Sequence, residues 1–324
     1  VTASRTFRIQ RGEPAERLDR LVTQRLADIP GVSRVRVQEW IAAGQVRVDG
    51  AVVTRPSLRP APDAEVKVLF PNARPHPAPV AQEIPLSILF EDDWLLAVDK
   101  PPGMVAHPTK SHADGTLVNA LLFHLGKKEG GVGLVNRLDM NTSGVLLVAK
   151  VPEVHARLAR ILRTREAEKE YLAVVYGPVP FSKGRIDRRI LHDPREPRRR
   201  TSRNEGQEAT TLWERVGERG DGDGGIALLR CRLLTGRTHQ IRVHLQSEGM
   251  PIVGDPLYGE PRWKGLRDPA LAAACRDFPR QALHAHRLRF PHPVTGERVE
   301  VVAPVPADLA GLLAALRNFA AAPR

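Results

Sequence analysis

Cysteine is scarce: Cys231 and Cys275 are the only two in 324 residues. Two thiols exclude a disulfide framework and a zinc site built on cysteines. They fit a reducing compartment, so a cytoplasmic protein is expected. No run of about 18 apolar residues occurs, so no membrane-spanning helix is expected. The opening residues, Val1-Thr2-Ala3-Ser4-Arg5, lack an apolar h-region, and no secretory signal is expected either. Internal repeats are missing. So are a P-loop, a GxGxxG turn after a strand and an HExxH helix, which weighs against nucleotide hydrolysis, dinucleotide chemistry and zinc proteolysis. Acidic residues are the scarcer charge: 37 Asp+Glu face 49 Lys+Arg, a net of +12. A surplus of that size favours a polyanionic partner, nucleic acid before an anionic membrane.

The length suggests about two domains. Residues 71–85 read PNARPHPAPVAQEIP; five prolines and no apolar periodicity predict a semi-rigid linker. It separates a small domain, 1–70, from a large one, 86–324. In the small domain, Leu18, Leu21, Val22 and Arg25 stand at helical spacing and predict a helix over 15–26. Ser33 is a good N-cap for a second helix that ends at Gly44. Asp49-Gly50 between valine-rich runs is a hairpin signal, and a last strand is expected near 65–70. The domain carries 12 Arg/Lys against 8 acids.

The large domain reads as β-rich. Strands are expected at 94–99, 144–149, 171–176, 226–233, 241–245 and 299–303, with helices at 117–125, 154–164 and 306–319. Strands and helices do not alternate regularly, which points to an α+β fold with a mixed, largely antiparallel sheet. The segment 217–226 reads as a loop, with no calcium-loop pattern.

Three blocks stand out chemically. In VNRLDMNTSGVLLVAK (135–150), Asp139 sits in a turn that enters an apolar strand. Such a carboxylate is either held rigidly for chemistry or simply caps the turn. In LLTGRTHQIRVHLQSEGMPIVGDPLYG (233–259), strand alternation places Arg242 and His244 on one face. From there an arginine could pair with a carboxylate and keep it ionised. A polar, water-facing strand is the alternative. In KEYLAVVYG (169–177), Tyr171 opens a strand, as core or as a base-stacking ring. Finally, 183–203 holds nine Lys/Arg against three acids and reads as a proline-marked loop. Arg198, Arg199 and Arg200 in it could grip phosphates, or the segment is a solvated loop.

Residues 17–22 and 33–50 resemble the S4 RNA-binding domain. The resemblance implies that Ser33, Arg34, Arg36 and Gln38 lie at an RNA face. FEDDWLLAVDKPPGMVAHPT (90–109), RLDMNTSGVLLVAK (137–150), KEYLAVVYG, TGRTHQIRVHL (235–245), GDPLYG (254–259) and QALHAHRLRFPHPVTGE (281–297) together resemble the RluA-type pseudouridine synthases. That resemblance implies isomerisation of uridine in structured RNA, with base flipping and without cofactor or metal. It assigns Asp139 as the catalytic carboxylate, Tyr171 as the ring stacked on the target base and Arg242 as the ion-pair partner of Asp139. It assigns Arg137 to filling the vacated stack. Asp139 could act as a nucleophile or as a general base. The family usually has His before Arg-Leu-Asp, where this chain has Asn136. Large-subunit ribosomal RNA is the expected substrate. The same chemistry on tRNA and a non-catalytic ribosome-assembly factor are the other readings. No obligate protein partner and no membrane are expected.

Overall fold

Residues 143–149 read Ser-Gly-Val-Leu-Leu-Val-Ala, and every one is buried. A strand buried on both faces needs cover on both, and reads as a continuous apolar run. Val145 and Leu147 pack with Leu95, Ala97, Val154 and Leu158. Leu146 and Val148 point the other way, onto Leu96, Val98, Leu117 and Leu121. The period of two in a strand thus distributes one sequence between two cores.

The computed structural model describes residues 4–27, 29, 32–69, 78–109, 111–129, 132–193, 196, 199–203, 205–219 and 225–315. The chain divides into two units, Val1–Ala78 and Pro79–Arg324. The first runs β1 (Ser4–Arg8), α1 (Leu18–Arg25), α2 (Arg34–Ala42), β2 (Val46–Val48), β3 (Ala51–Val53) and β4 (Glu65–Leu69). Its antiparallel sheet has the order β1-β4-β2-β3. Leu18, Val22, Val37, Ile41, Val66 and Val68 form its core. Asp49 and Gly50 both take positive φ, 50° and 81°, as a tight hairpin turn requires. Helix α1 starts at Leu18 rather than at residue 15.

The second unit contains β5 (Ser87–Glu91), β6 (Leu95–Lys100), α3 (Leu117–His124), β7 (Gly133–Leu134), β8 (Ser143–Ala149), α4 (Pro152–Ile161), β9 (Glu168–Tyr176), β10 (Lys183–Asp187), β11 (Arg189–His192) and β12 (Arg200–Arg203). There follow β13 (Thr210–Arg219), β14 (Ile226–Leu233), α5 (Gln240–Ser247), α6 (Pro269–Asp277), β15 (Leu283–Pro291), β16 (Arg298–Val302) and α7 (Ala307–Ala315). The main sheet runs β10-β13-β14-β9-β15-β8-β6-β5, with β16 on β15 and β7 on β8. Its pairings are antiparallel except for β15 with β8. There Gly144 carries φ +112°, and a Cβ would stand 2.1 Å from the carbonyl oxygen of Ala285. Among the described residues no helix is long and apolar enough to cross a membrane.

Several expectations are corrected by this fold. Residues 241–245 belong to α5, a helix. All of Gln240 to Leu245 are buried, and a short element buried all round leaves no periodicity to distinguish helix from strand. The basic segment 183–203 is mostly β-structure: β10 lies on the main sheet and β11–β12 form their own hairpin. Residues 217–219 continue β13, paired to β14. The linker's residues 71–77 lie outside the described residues. From Val80 onward the segment is attached to the second unit: the amide of Ala81 donates to Lys128 O and that of Gln82 to Asn119 O.

Candidate active site

Asp139 lies in the turn between β7 and β8, and three buried groups fix that turn from behind. Lys100, fully buried at the end of β6, donates to the carbonyls of Pro101 (2.7 Å), Met104 (3.0 Å) and Met140 (2.9 Å). Burial, reinforced by Arg280, pulls its ammonium down to about 8. Arg280 donates to Asn141 O at 3.1 Å and is itself held bidentately by Asp308. Ser143 shares a 3.0 Å hydrogen bond with His284 Nδ1. The Thr142 amide closes the turn onto Asp139 O at 3.0 Å.

The carboxylate of Asp139 faces Arg242, whose Nη1 donates to Oδ2 at 2.9 Å. Arg242 also donates Nε and Nη2 to Asp255, at 2.6 and 2.8 Å. Asp255 accepts in addition from the amides of Leu257 and Tyr258. Burial opposes the Arg242 charge, but the hydrogen bonds and charges of Asp255 and Asp139 hold its pKa above the ordinary value. Its geometry is therefore preset before any ligand arrives.

The helix carrying Arg242 is anchored by Gln240. Its Oε1 accepts from the Thr235 hydroxyl (2.7 Å) and the Arg237 amide (3.0 Å). Its Nε2 donates to Thr210 O at 2.9 Å. His244, on another face of the helix, bonds Thr211 Oγ1 and Arg188 O and takes no part in the cleft. The residue before the helix, His239, is left-handed at φ 57°, which brings its imidazole back over the carboxylate: Nε2 is 3.9 Å from Asp139 Oδ1.

Asp139, His239, Gln240 and Arg242 line one open cleft of about 350 Å³, solvent at its mouth included, with Arg137, Arg237, Tyr171, Leu233, Ile241 and Leu283. Arg137 stands at its rim and donates to Thr238 Oγ1 at 3.1 Å. Tyr171 lies in β9, opposite Cys231 of β14 and Ala285 of β15. Burial raises its phenol pKa, and Asp139 adds to the effect, so the ring enters the cleft uncharged. A planar ring, a carboxylate and three arginines around one concave site suit an aromatic anionic ligand such as a nucleotide.

The comparisons with known proteins agree with this geometry. The family described as "RNA pseudouridylate synthase" matches residues 94–247, and "S4 domain" matches 16–66. The chain is 44% identical to the ribosomal large subunit pseudouridine synthase D of Xanthomonas campestris pv. campestris, over 90% of this chain and 87% of that one. The chain belongs to the RNA pseudouridylate synthase family. The Xylella fastidiosa protein of the same name is 42% identical over 98% of this synthase and 94% of its own length. Among solved structures, Human RNA Pseudouridylate Synthase Domain Containing 1 superposes with a TM-score of 0.56 at 28% identity, covering 72% of this chain and 89% of that chain. This synthase is thus an RNA-modifying isomerase with an S4 domain, and RNA is its substrate.

Of the expected site residues, Asp139, Arg242, Tyr171 and Arg137 meet at the cleft. Asn136 does not line it. Its amide donates to Val145 O (3.3 Å) and accepts from Leu147 N (2.7 Å), so it serves as a side-chain partner for the edge of β8. Arg199 and Arg200 lie on the β11–β12 hairpin side, with the Arg199 guanidinium 5.2 Å from the ring centre of Tyr258. Arg198 lies outside the described residues.

In the S4 domain, Ser33 caps α2 by accepting from the Arg36 amide. Arg34 and Gln38 both turn onto buried Asp19, at 2.8 and 2.7 Å. Arg34 keeps 45% of its side chain exposed.

Lys100, His239, Asp255 and Tyr258 carry the site without being singled out as such in the sequence. A lysine closing an apolar strand before Pro-Pro-Gly, and an aspartate set between the glycines of GDPLYG, are the signals that point to the first and third.

Proposed function

We propose that this synthase converts uridine to pseudouridine in large-subunit ribosomal RNA, with Asp139 as its reacting carboxylate. The observation that carries the proposal is the pairing of Asp139 with a buried, doubly anchored Arg242 at the floor of a cleft that Tyr171 also lines. The substrate class rests on relatives named for the large ribosomal subunit. The target base leaves its helix at a cost of a few kcal/mol. Stacking on Tyr171, and Arg137 filling the vacated position, offset part of that cost.

The N1–C1′ bond then breaks, the uracil turns, and C5 bonds to C1′. C5 releases its proton and N1 takes one up, so the product is an isomer and no oxidant or group donor enters. Asp139 contributes either by covalent attack or by removing the C2′ proton; Arg242 holds it in place for both. Arg34 and Arg36 of the S4 domain, with Ser33 and Gln38 setting their helix, contact the RNA backbone. Arg199 and Arg200, against Tyr258, do so as well, as does Arg198, which lies outside the described residues; such contacts make binding salt-dependent. In this reading the enzyme works in the cytoplasm without an obligate protein partner or a membrane.

The test is tritium release from C5-labelled large-subunit rRNA and tRNA transcripts, with Asp139→Ala alongside. Release from rRNA that is abolished in the variant is expected. Release from tRNA alone would overturn the substrate, and undiminished release by Asp139→Ala would overturn the role of the carboxylate.

A further inference from the structure

Behind the cleft, a chain of polar contacts leads from the basic hairpin to the carboxylate. The backbone amide of Arg200, on β12, donates to the hydroxyl of Tyr258 at 2.6 Å. The same hydroxyl lies 2.9 Å from Nδ1 of His239, and Nε2 of that imidazole faces Asp139 Oδ1 at 3.9 Å. A backbone amide can only donate, so the phenol oxygen accepts from Arg200, and its own proton can go to Nδ1 of His239. Nδ1 is then the unprotonated ring nitrogen, and the proton of the neutral imidazole sits on Nε2, aimed at Asp139.

Three further features fit an oriented, neutral histidine. Burial lowers the His239 pKa, with Arg242 and Arg200 acting in the same sense against Asp139. The ring of Tyr258 is fixed edge-on to His239, with centres 5.6 Å apart, and lies 5.0 Å from the Arg242 guanidinium. His239 also occupies a left-handed backbone position, φ 57°, unusual for a residue with a Cβ and of the kind that clusters at functional sites.

We propose that His239 is a positioning residue for Asp139, set in its Nε2–H tautomer by Tyr258, and that the Tyr258 hydroxyl ties it to the β11–β12 hairpin. Arg242 fixes one carboxylate oxygen and His239 steers the other. The inference rests on the reading of Asp139 as the reacting carboxylate. A carboxylate held by one oxygen can still rotate; a donor facing the other oxygen across 3.9 Å biases it toward the attack geometry.

The test uses full-length enzyme, C5-tritiated large-subunit rRNA and single-turnover release at saturating enzyme, with RNA affinity measured separately by filter binding. Tyr258→Phe keeps the ring and removes only the hydroxyl. His239→Asn keeps an acceptor near Tyr258 but cannot reach Asp139, whereas His239→Gln keeps a donor toward Asp139. Tyr258→Phe and His239→Asn are expected to slow release by about ten- to a hundredfold, with RNA affinity unchanged and the protein still folded. His239→Gln is expected to retain more activity than His239→Asn. Tyr258→Phe is expected to have no further effect in the His239→Asn background, as for residues acting as a unit.

A wild-type rate for Tyr258→Phe, additive losses in the double variant, or losses that appear wholly in RNA affinity would overturn the proposal. Asp139→Ala separates the two levels. If it still releases tritium, the reading of the carboxylate fails. If it is inactive while Tyr258→Phe is unaffected, only the positioning role fails.

Discussion

Arg242 and Asp255 face each other across two hydrogen bonds, of 2.6 and 2.8 Å, with 4% and 0% of their side chains exposed. Asp139 therefore meets an arginine whose orientation is already fixed by a second carboxylate. Removing Asp255 leaves Arg242 buried with two of its donors unpaired and Asp139 as its remaining carboxylate partner. Asp255→Ala is expected to lower unfolding stability by about 3–5 kcal/mol and to reduce tritium release more than RNA binding. Chemical denaturation and single-turnover assays check both. An active, equally stable variant would mean that Arg242 is held by other means.

Asp19 plays the corresponding role in the S4 domain. It is fully buried and accepts from Arg17, Arg34 and Gln38. Burial alone would raise its pKa, but these hydrogen bonds hold it well below the usual carboxylate range. With a depressed folded-state pKa, its contribution is complete above the unfolded value of about 4 and fades as the pH falls below it. Asp19→Asn is expected to destabilise the S4 unit at pH 7 by about 1–3 kcal/mol, and the deficit relative to wild type is expected to narrow toward pH 2. A pH-independent deficit in urea melts would contradict the assignment.

His284 sits behind the Asp139 turn, accepting from Ser143 and donating to Ala303 O. Burial pulls its pKa down to about 4 from an ordinary 6.5. The unfolded chain therefore takes up a proton between pH 6.5 and 4 that the folded chain refuses, and stability falls across that window as the pH is lowered. At pH 4 the loss from this group is on the order of 3 kcal/mol. Imidazole nitrogen shifts measured by NMR are expected to show His284 neutral at pH 5.5. A midpoint near 6.5 would contradict its burial without charge.

The elements most legible in the sequence are those with one dominant local signal. The Asp49-Gly50 hairpin follows from two positions that tolerate positive φ. The run at 144–149 follows from a strand covered on both faces, and α2 from its Ser33 cap. Asp139, Arg137, Tyr171 and Arg242 were legible through motif resemblance, which carries residue identity without geometry. The secondary structure around Arg242 was not. Helix α5 is buried on every side, so the apolar and polar residues alternate as neighbours demand rather than as period requires. Strand β1, with Phe7 half-buried and polar residues elsewhere, gave too weak a pattern to read, and its place beside β4 comes from pairing with residues far along the chain, from Ser4 with Leu69 to Arg8 with Glu65.

By itself, then, the sequence determined the presence of a carboxylate, a ring and arginines in a basic, two-part, cysteine-poor chain, because composition and local motifs are properties of neighbouring residues. The family resemblance implied that Arg242 meets Asp139; only the tertiary structure decided what holds the two in place. The contact of Arg242 with Asp139 spans 103 positions. The anchoring of Arg242 by Asp255, the bracing of the Asp139 turn by Lys100 and Arg280, and the line from Arg200 through Tyr258 to His239 depend likewise on how β6, β8, β15 and α5 pack. Hydrogen bonds need partners within about 3 Å with their protons aimed, and that condition is met by folding and not by spacing along the chain.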